Sequence, residues 1–361
     1  SSALIRPTES VEHPKSGQPM HDLMGGNTWV GWLLASAVPG SPNHSPGNQA
    51  LLDQGPAVLT LDLSLGEGVR ADELLDAVDR AWVNLQQAAS IEGASYDGAT
   101  GALDFRVQNQ TGHKLISGYP EGRRMFLNVR AYTDGVLSHE VNPYDDVVGT
   151  LRGLDTSYSP SSPTLGAAEE YRDELVYEVF SSSSLTGESH TFHMALATER
   201  YKDNRIPPPG FRIGEAASRM VEPVWAGSPM PAYFTAAEYA GGYDAVQLTL
   251  PAGATGVVVS LYYQATSREF VEFLRDEING TATTLSSPTP SGEANAYVAQ
   301  TDPFFSGLAA WGDTIWQLWD DNKSVPGAAP VLMTQATIGT IGDPCAAAGS
   351  DGTPCNDQDL C

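Results

Sequence analysis

Apolar residues recur at every second position on both sides of one glycine-rich loop, and this limits the chain to folds with half-buried strands. Leu103, Phe105 and Val107 alternate with polar residues before residues 109–124 (NQTGHKLISGYPEGRR), and Met125, Leu127, Val129 and Ala131 alternate after it. A period of two puts the apolar set on one face of a pleated strand, which another layer must then cover. Similar runs predict strands over 102–108, 124–133, 135–140, 174–181, 189–198, 244–250 and 256–264, with Asp134-Gly135 as a hairpin turn. Short strands separated by turn signals point to an antiparallel β-sandwich. The expected fold class is mainly β, with a few packed α-helices.

Residues 72–91 carry the strongest helical period, with Leu74, Leu75, Val78, Trp82 and Leu85 on one face. Asp72, Glu73 and Asp76 sit at its start, where the helix dipole favours anions, and Gly93 reads as its stop. This helix is expected to pack on the sandwich through Trp82 and Leu85. Residues 28–38 read as a short helix. Thr266-Ser-Arg-Glu269 reads as a capping box opening another, and Leu308, Trp311, Ile315 and Leu318 mark a further amphipathic one. Residues 141–170 and 202–232 read as long loops, and 281–295 as a polar linker. The division expected is 1–57 as an extended arm and short helix, 58–340 as the sandwich with peripheral helices, and 341–361 as a Cys-containing tail. Within it, 58–65 reads as a strand or an extended lead into the 72–91 helix.

Charge narrows the function classes. The chain has 44 acids against 19 bases, a net charge of -25, which disfavours nucleic acid and anionic membrane surfaces as partners. No apolar run reaches the ~18 residues of a membrane span, so membrane insertion is not expected. Cys345, Cys355 and Cys361 all fall in the tail. Clustered cysteines among Gly, Asp and Pro suit an oxidising compartment, hence an extracellular, cell-surface or periplasmic location. Three thiols at loose spacing with no nearby histidine do not make a usual zinc pattern. The odd count, with a cysteine at the last position, reads as a chain that continues.

Four pieces of the sequence carry a family resemblance. They are His21-Asp-Leu-Met-Gly-Gly-Asn27, then TGHKL with GYPEGRR and its apolar strand, then RYKDNRIPPPGF at 200–211, then LYYQATS at 261–267. In this order they resemble the C-terminal β-domain of bacterial multihaem c-type cytochromes, over roughly residues 20–340. The tail resembles the start of Cys-rich repeats on Gram-negative surface proteins, and a Cys345–Cys355 or Cys355–Cys361 disulfide is expected there. One departure matters: no C-x-x-C-H occurs, so these residues carry no motif for covalent haem attachment. The resemblance implies a non-haem domain with a structural or docking role in electron transfer, beside a haem-bearing protein or segment. A cell-surface or filament subunit, assembling with copies of itself or binding other molecules without a redox role, is the alternative. A secreted hydrolase is the third class.

The candidate site residues follow from these pieces. His21 is a candidate axial ligand to a haem held by another chain or segment, or a histidine that stabilises a Gly-Gly turn. His113, Lys114, Arg123, Arg124, Asp203 and Arg205 form a candidate structural loop, in which the arginine forks clasp carboxylates, Asp203 above all or Glu121 locally. Asp203 and Asn204 are candidate calcium ligands, as oxygen donors on a loop, though no spaced EF-hand pattern is present. His190 and His193 fall on opposite faces of a strand over 189–198 and read as structural. No G-x-S-x-G elbow, H-E-x-x-H helix, phosphate-binding loop or dinucleotide fingerprint is present, which leans away from an enzyme.

Overall fold

The structure, a computed structural model, describes residues 25–55, 59–60, 70–116, 118–279 and 311–342. The 1–20 arm, His21, all of 58–65 except 59–60, the 281–295 linker and the tail with its cysteines lie outside the described residues. The fold is mainly β, with antiparallel sheets and packed helices.

The central sheet is built on two long strands, Arg124–Thr133 and Gly256–Gln264, paired antiparallel along their whole lengths. Val331–Gly339 flanks one side, and Val136–Val141 the other. A short parallel pairing of Glu169–Glu170 extends the second edge, and Val176–Tyr177 pairs with the start of the 124–133 strand. Facing this sheet lies a second, of Ala89–Asp97, Ala102–Asn109 and Tyr243–Thr249. The alternation seen in the sequence decides what lies between. Leu103, Phe105, Val107 and Val246 point inward onto Leu127, Val129, Val257, Val259 and Leu261 in one continuous core. Asp104, Arg106 and Gln247 point outward, where Gln247 bonds Asp104 and Arg106 pairs with Glu92.

A third sheet, Glu188–Thr191, Val179–Ser183, Glu199–Asp203, Val224–Trp225 and Ser228–Pro229, follows where the chain leaves the central one. The run expected as one strand over 174–181 changes sheets at Glu178, whose N–H is held by Asn204 Oδ1 at 3.1 Å. The 189–198 strand ends at Thr191. The Thr191 hydroxyl accepts from the His193 N–H, and Phe192 turns to pack on Phe270 and Phe273 of the Arg268–Asn279 helix.

Three other boundaries differ from the sequence reading. The long helix is Ala71–Ala88, and residues 89–91 already belong to a strand. Gly93, at φ +63°, sits where the 89–97 strand shifts register, so it forms a bulge rather than a helix stop. Trp82 remains 39% exposed, and Leu85 alone of the expected pair enters the core. The helix also rests on Trp29–Ser36, where Gly31 lies close under Val78. At the Arg268–Asn279 helix the hydroxyl that receives an N–H is that of Ser267, not Thr266. Glu269 does not turn back to cap; it is drawn into a buried ion pair. The Val331–Gly339 strand, absent from the sequence reading, completes the central sheet.

Candidate functional site

Residues 109–124 fold against the 200–206 segment through backbone and charge together. Asn109 begins it: its Oδ1 accepts from the Thr111 N–H and hydroxyl, and its Nδ2 donates to His113 O at 2.7 Å and Ile206 O at 3.1 Å. That side chain ties one turn and grips the other segment. Leu115 and Ile206 then exchange N–H···O bonds at 2.9 and 3.2 Å, and Arg205 donates to Ile116 O. His113 contributes its backbone, and its side chain stands exposed.

Asp203 is the charged centre. Fully buried, it receives Lys114 Nζ at 3.1 Å, Arg200 Nη1 at 2.9 Å and Arg205 Nε at 3.0 Å. Burial alone would raise its carboxyl, but Arg205 and Lys114 overcome this and hold it at about 2. Lys114 feels the converse. Burial lowers its ammonium, Asp203 opposes this, and Arg205 and Arg200 crowd it with like charge, leaving it at about 8. Across the two segments Asp203 therefore pairs with Lys114, and not with Arg123 or Arg124. The calcium reading does not fit these side chains. Asp203 is surrounded by cations, Asn204 Oδ1 is taken by the Glu178 N–H, and its Nδ2 donates to Val176 O at 3.0 Å. Among the described residues no group of three His, Cys, Asp or Glu side chains is placed to hold a metal ion.

Arg124 makes a second centre, on the face of the central sheet turned away from the sandwich core. Only 3% exposed, it donates from Nε to Gln264 Oε1 at 2.8 Å and from Nη2 to Thr150 Oγ1 at 3.2 Å, and sets Nη1 3.3 Å from Glu269 Oε2. Glu269 accepts in turn from the Thr150 and Ser159 hydroxyls. Burial pushes the Glu269 carboxyl up, and Arg124 with the Thr150 bond brings it below its ordinary value. Gly122 allows this meeting: at φ +69°, a Cβ there would lie 2.4 Å from Phe270, and its carbonyl accepts the Ser267 N–H. Arg123 reaches the Tyr263 hydroxyl. Lys202 closes a third centre, donating to Glu178 Oε1 at 2.9 Å and Asp173 Oδ1 at 2.8 Å.

Sequence reasoning missed Glu269, Gln264, Thr150, Arg200 and Glu178. The readable signal was adjacency: Gln264 and Glu269 lie in and just after the LYYQATS piece, whose strand pairs with the one that starts at Arg124. It also missed what His190 and His193 do. His190 lies 3.9 Å from the Tyr201 ring and stacks on Tyr158, whereas His193 stands between Glu188 Oε1 at 3.2 Å and Glu277 Oε1 at 3.1 Å.

Among known proteins, no family profile matches the chain and no curated protein sequence matches it. One solved structure is similar at low level, a penta-heme cytochrome c552 from Thermochromatium tepidum, at 12% sequence identity and a TM-score of 0.36. The matched region covers 85% of this chain and 49% of that one, so the chain spans about half the cytochrome's length. A likeness that loose does not establish a common fold. Among the described residues no helix is long and apolar enough to cross a membrane.

Proposed function

We propose that the chain is a non-haem β-domain of a multihaem-cytochrome-like protein, with a structural and docking role beside a haem-bearing protein or segment in electron transfer outside the cytoplasm. One observation carries the reading. Three of the four pieces that resemble the family engage one another inside the fold: Lys114 meets Asp203, Leu115 meets Ile206, and Arg124 meets Gln264. Of the fourth, Gly25, Gly26 and Asn27 are described, and a Cβ at Gly26 would lie 2.9 Å from the Tyr263 ring of the last piece; His21 lies outside the described residues. Residues committed to internal bonds build a frame, and a frame suits a docking module better than a catalyst. The net charge of -25 supports a partner with a basic face.

Haem in this reading belongs to the partner. The test is an absorption spectrum of the complex isolated from its native source. A Soret band in stoichiometric amount with this chain is the expected result. Full-length native material with no such band, alone or with any co-purifying chain, would overturn the reading in favour of a surface subunit or binding module without redox function.

A further inference from the structure

Beside the Arg124–Glu269 pair opens a cavity of about 300 Å³ that the frame does not require. The third sheet, the 157–161 segment and the Arg268–Asn279 helix wall it. Much of its lining is aromatic: Tyr158 stacks on His190 with centroids 5.2 Å apart, Phe180 stands edge-on to both, and Phe192 and Phe273 lie tilted at 5.4 Å. Carboxylates line it as well, Glu188 from the strand that carries His190, and Glu269, Glu272 and Asp276 from the helix that carries Phe273.

The acids are pre-oriented rather than loosely solvated. Glu272 is held by Ser161 at 3.0 Å and Arg268 at 3.2 Å, and Glu188 by His193 and the Thr186 hydroxyl. Glu269 is 5% exposed, and its Oε2 accepts no hydrogen bond, its cation being Arg124 at 3.3 Å. Several donors on the walls are already engaged: the Ser161 hydroxyl by Glu272 and the Thr191 hydroxyl with His193. The Arg275 guanidinium is engaged by Asp276 at 2.7 Å and lies 4.7 Å from the Trp316 ring centroid. Such a cavity complements a group rich in N–H donors, positively charged and flat enough to lie against aromatic rings. A guanidinium has all three properties, with five donors in a plane that stacks on aromatic faces.

We propose that this cavity binds an arginine side chain presented by a basic partner. The chemistry of the cavity stands by itself; only the identity of the partner rests on the docking reading above. The anchor enters among the aromatic rings and the carboxylates, and the acidic charge of the chain steers the approach.

The experiment titrates the full 361-residue chain by calorimetry with the blocked peptide acetyl-Gly-Arg-Gly-amide and its citrulline counterpart, a neutral isostere. The arginine peptide is expected to bind one to one, and the citrulline peptide at least roughly tenfold more weakly. The double variant Glu188→Gln/Asp276→Asn, shown folded by circular dichroism, is expected to lose roughly tenfold in affinity. The control Asp72→Asn/Glu73→Gln, on an exposed helix end, removes the same charge and is expected to bind as the parent does. Equal binding of arginine and citrulline peptides, equal losses in both double variants, or tighter binding of a methyl glycoside would each overturn the proposal. Arginine binding by a chain whose native complex lacks haem would retain the cavity's assignment and remove only the docking reading. A Soret band without arginine binding would do the reverse.

Discussion

The two faces of the Arg124–Thr133 strand are buried against different materials. Met125, Leu127, Val129 and Ala131 meet hydrocarbon from the facing sheet. Arg124, Asn128 and Arg130, on the opposite face, meet Glu269, Glu140 and main-chain carbonyls, with Phe126 packed among tyrosines. Both faces are buried over the first half of the strand, but they respond to damage differently. A hydrocarbon contact has no specific partner, so losing part of it costs area and leaves a void. A buried ion depends on its counter-ion, and losing one member leaves the other desolvated and uncompensated.

The largest expected effect tests that difference directly. Arg124→Met strands Glu269 and is expected to cost about 3–5 kcal/mol in urea unfolding at neutral pH. Adding Glu269→Met to it should recover a large part of the loss, because the second change removes the stranded charge; recovery is partial, since Thr150 and Ser159 lose their acceptor. On the other face Leu127→Ala is expected to cost about 2–5 kcal/mol, and adding Leu261→Ala should deepen the loss rather than relieve it. A double variant Arg124→Met/Glu269→Met no better than its parent single variant would erase the distinction between the faces.

This contrast also explains how much could be read from the chain. The hydrocarbon face was legible because alternation is a local property: the strands over 124–133 and 256–264 have the bounds the alternation predicts. The Val331–Gly339 strand escaped notice because only its first third is buried and the rest mixes Thr, Gln and Ala. The ionic face was less legible, since pairing is set by tertiary approach. Arg124 and Glu269 are 145 positions apart (269 − 124), and Glu269 carried a competing local signal as the last residue of a capping box. The sequence reading expected Arg123 or Arg124 to tie the 109–124 segment to Asp203. The donor expected was an arginine, because a planar fork suits a carboxylate, but it is Lys114 that reaches Asp203, while Arg124, beyond the turns at Gly118 and Gly122, is drawn to Glu269.

Acid should act on the ionic side. Asp203 titrates at about 2 in the folded chain against an ordinary 3.8. A depressed carboxyl contributes stability above its unfolded value, and that contribution is lost as pH falls from about 4 toward about 2. The loss should amount to about 2–3 kcal/mol, and Asp203→Asn should flatten that part of the curve while lowering stability at neutral pH. Unfolding free energies that fall equally steeply in parent and variant below pH 4 would show that Asp203 is not the group responsible.

The smallest effect comes from a carboxylate in the opposite situation. Asp244, on the second sheet, accepts from the Tyr177 hydroxyl at 2.6 Å, and no cation is among the groups that shift it. Burial raises it to about 6, and the Tyr177 bond only partly opposes this. For an acid raised in the folded state the sign is reversed. Below the unfolded value both states are protonated and nothing is lost; between about pH 4 and 6 the unfolded chain ionises first, and stability falls; above 6 the full penalty is present. Asparagine keeps an oxygen for Tyr177 and cannot ionise. Asp244→Asn should therefore match the parent near pH 4 and exceed it by about 1–2 kcal/mol at pH 7.5, the partial exposure of the site trimming the effect. Urea unfolding at the two pH values reads this directly. Asp203 and Asp244 then differ only in their surroundings: three cations make one carboxylate a fastener, and their absence makes the other a burden. An Asp244→Asn chain less stable than its parent at pH 7.5 would mean that Tyr177 needs a charged acceptor, and would move Asp244 to the ionic side of the comparison.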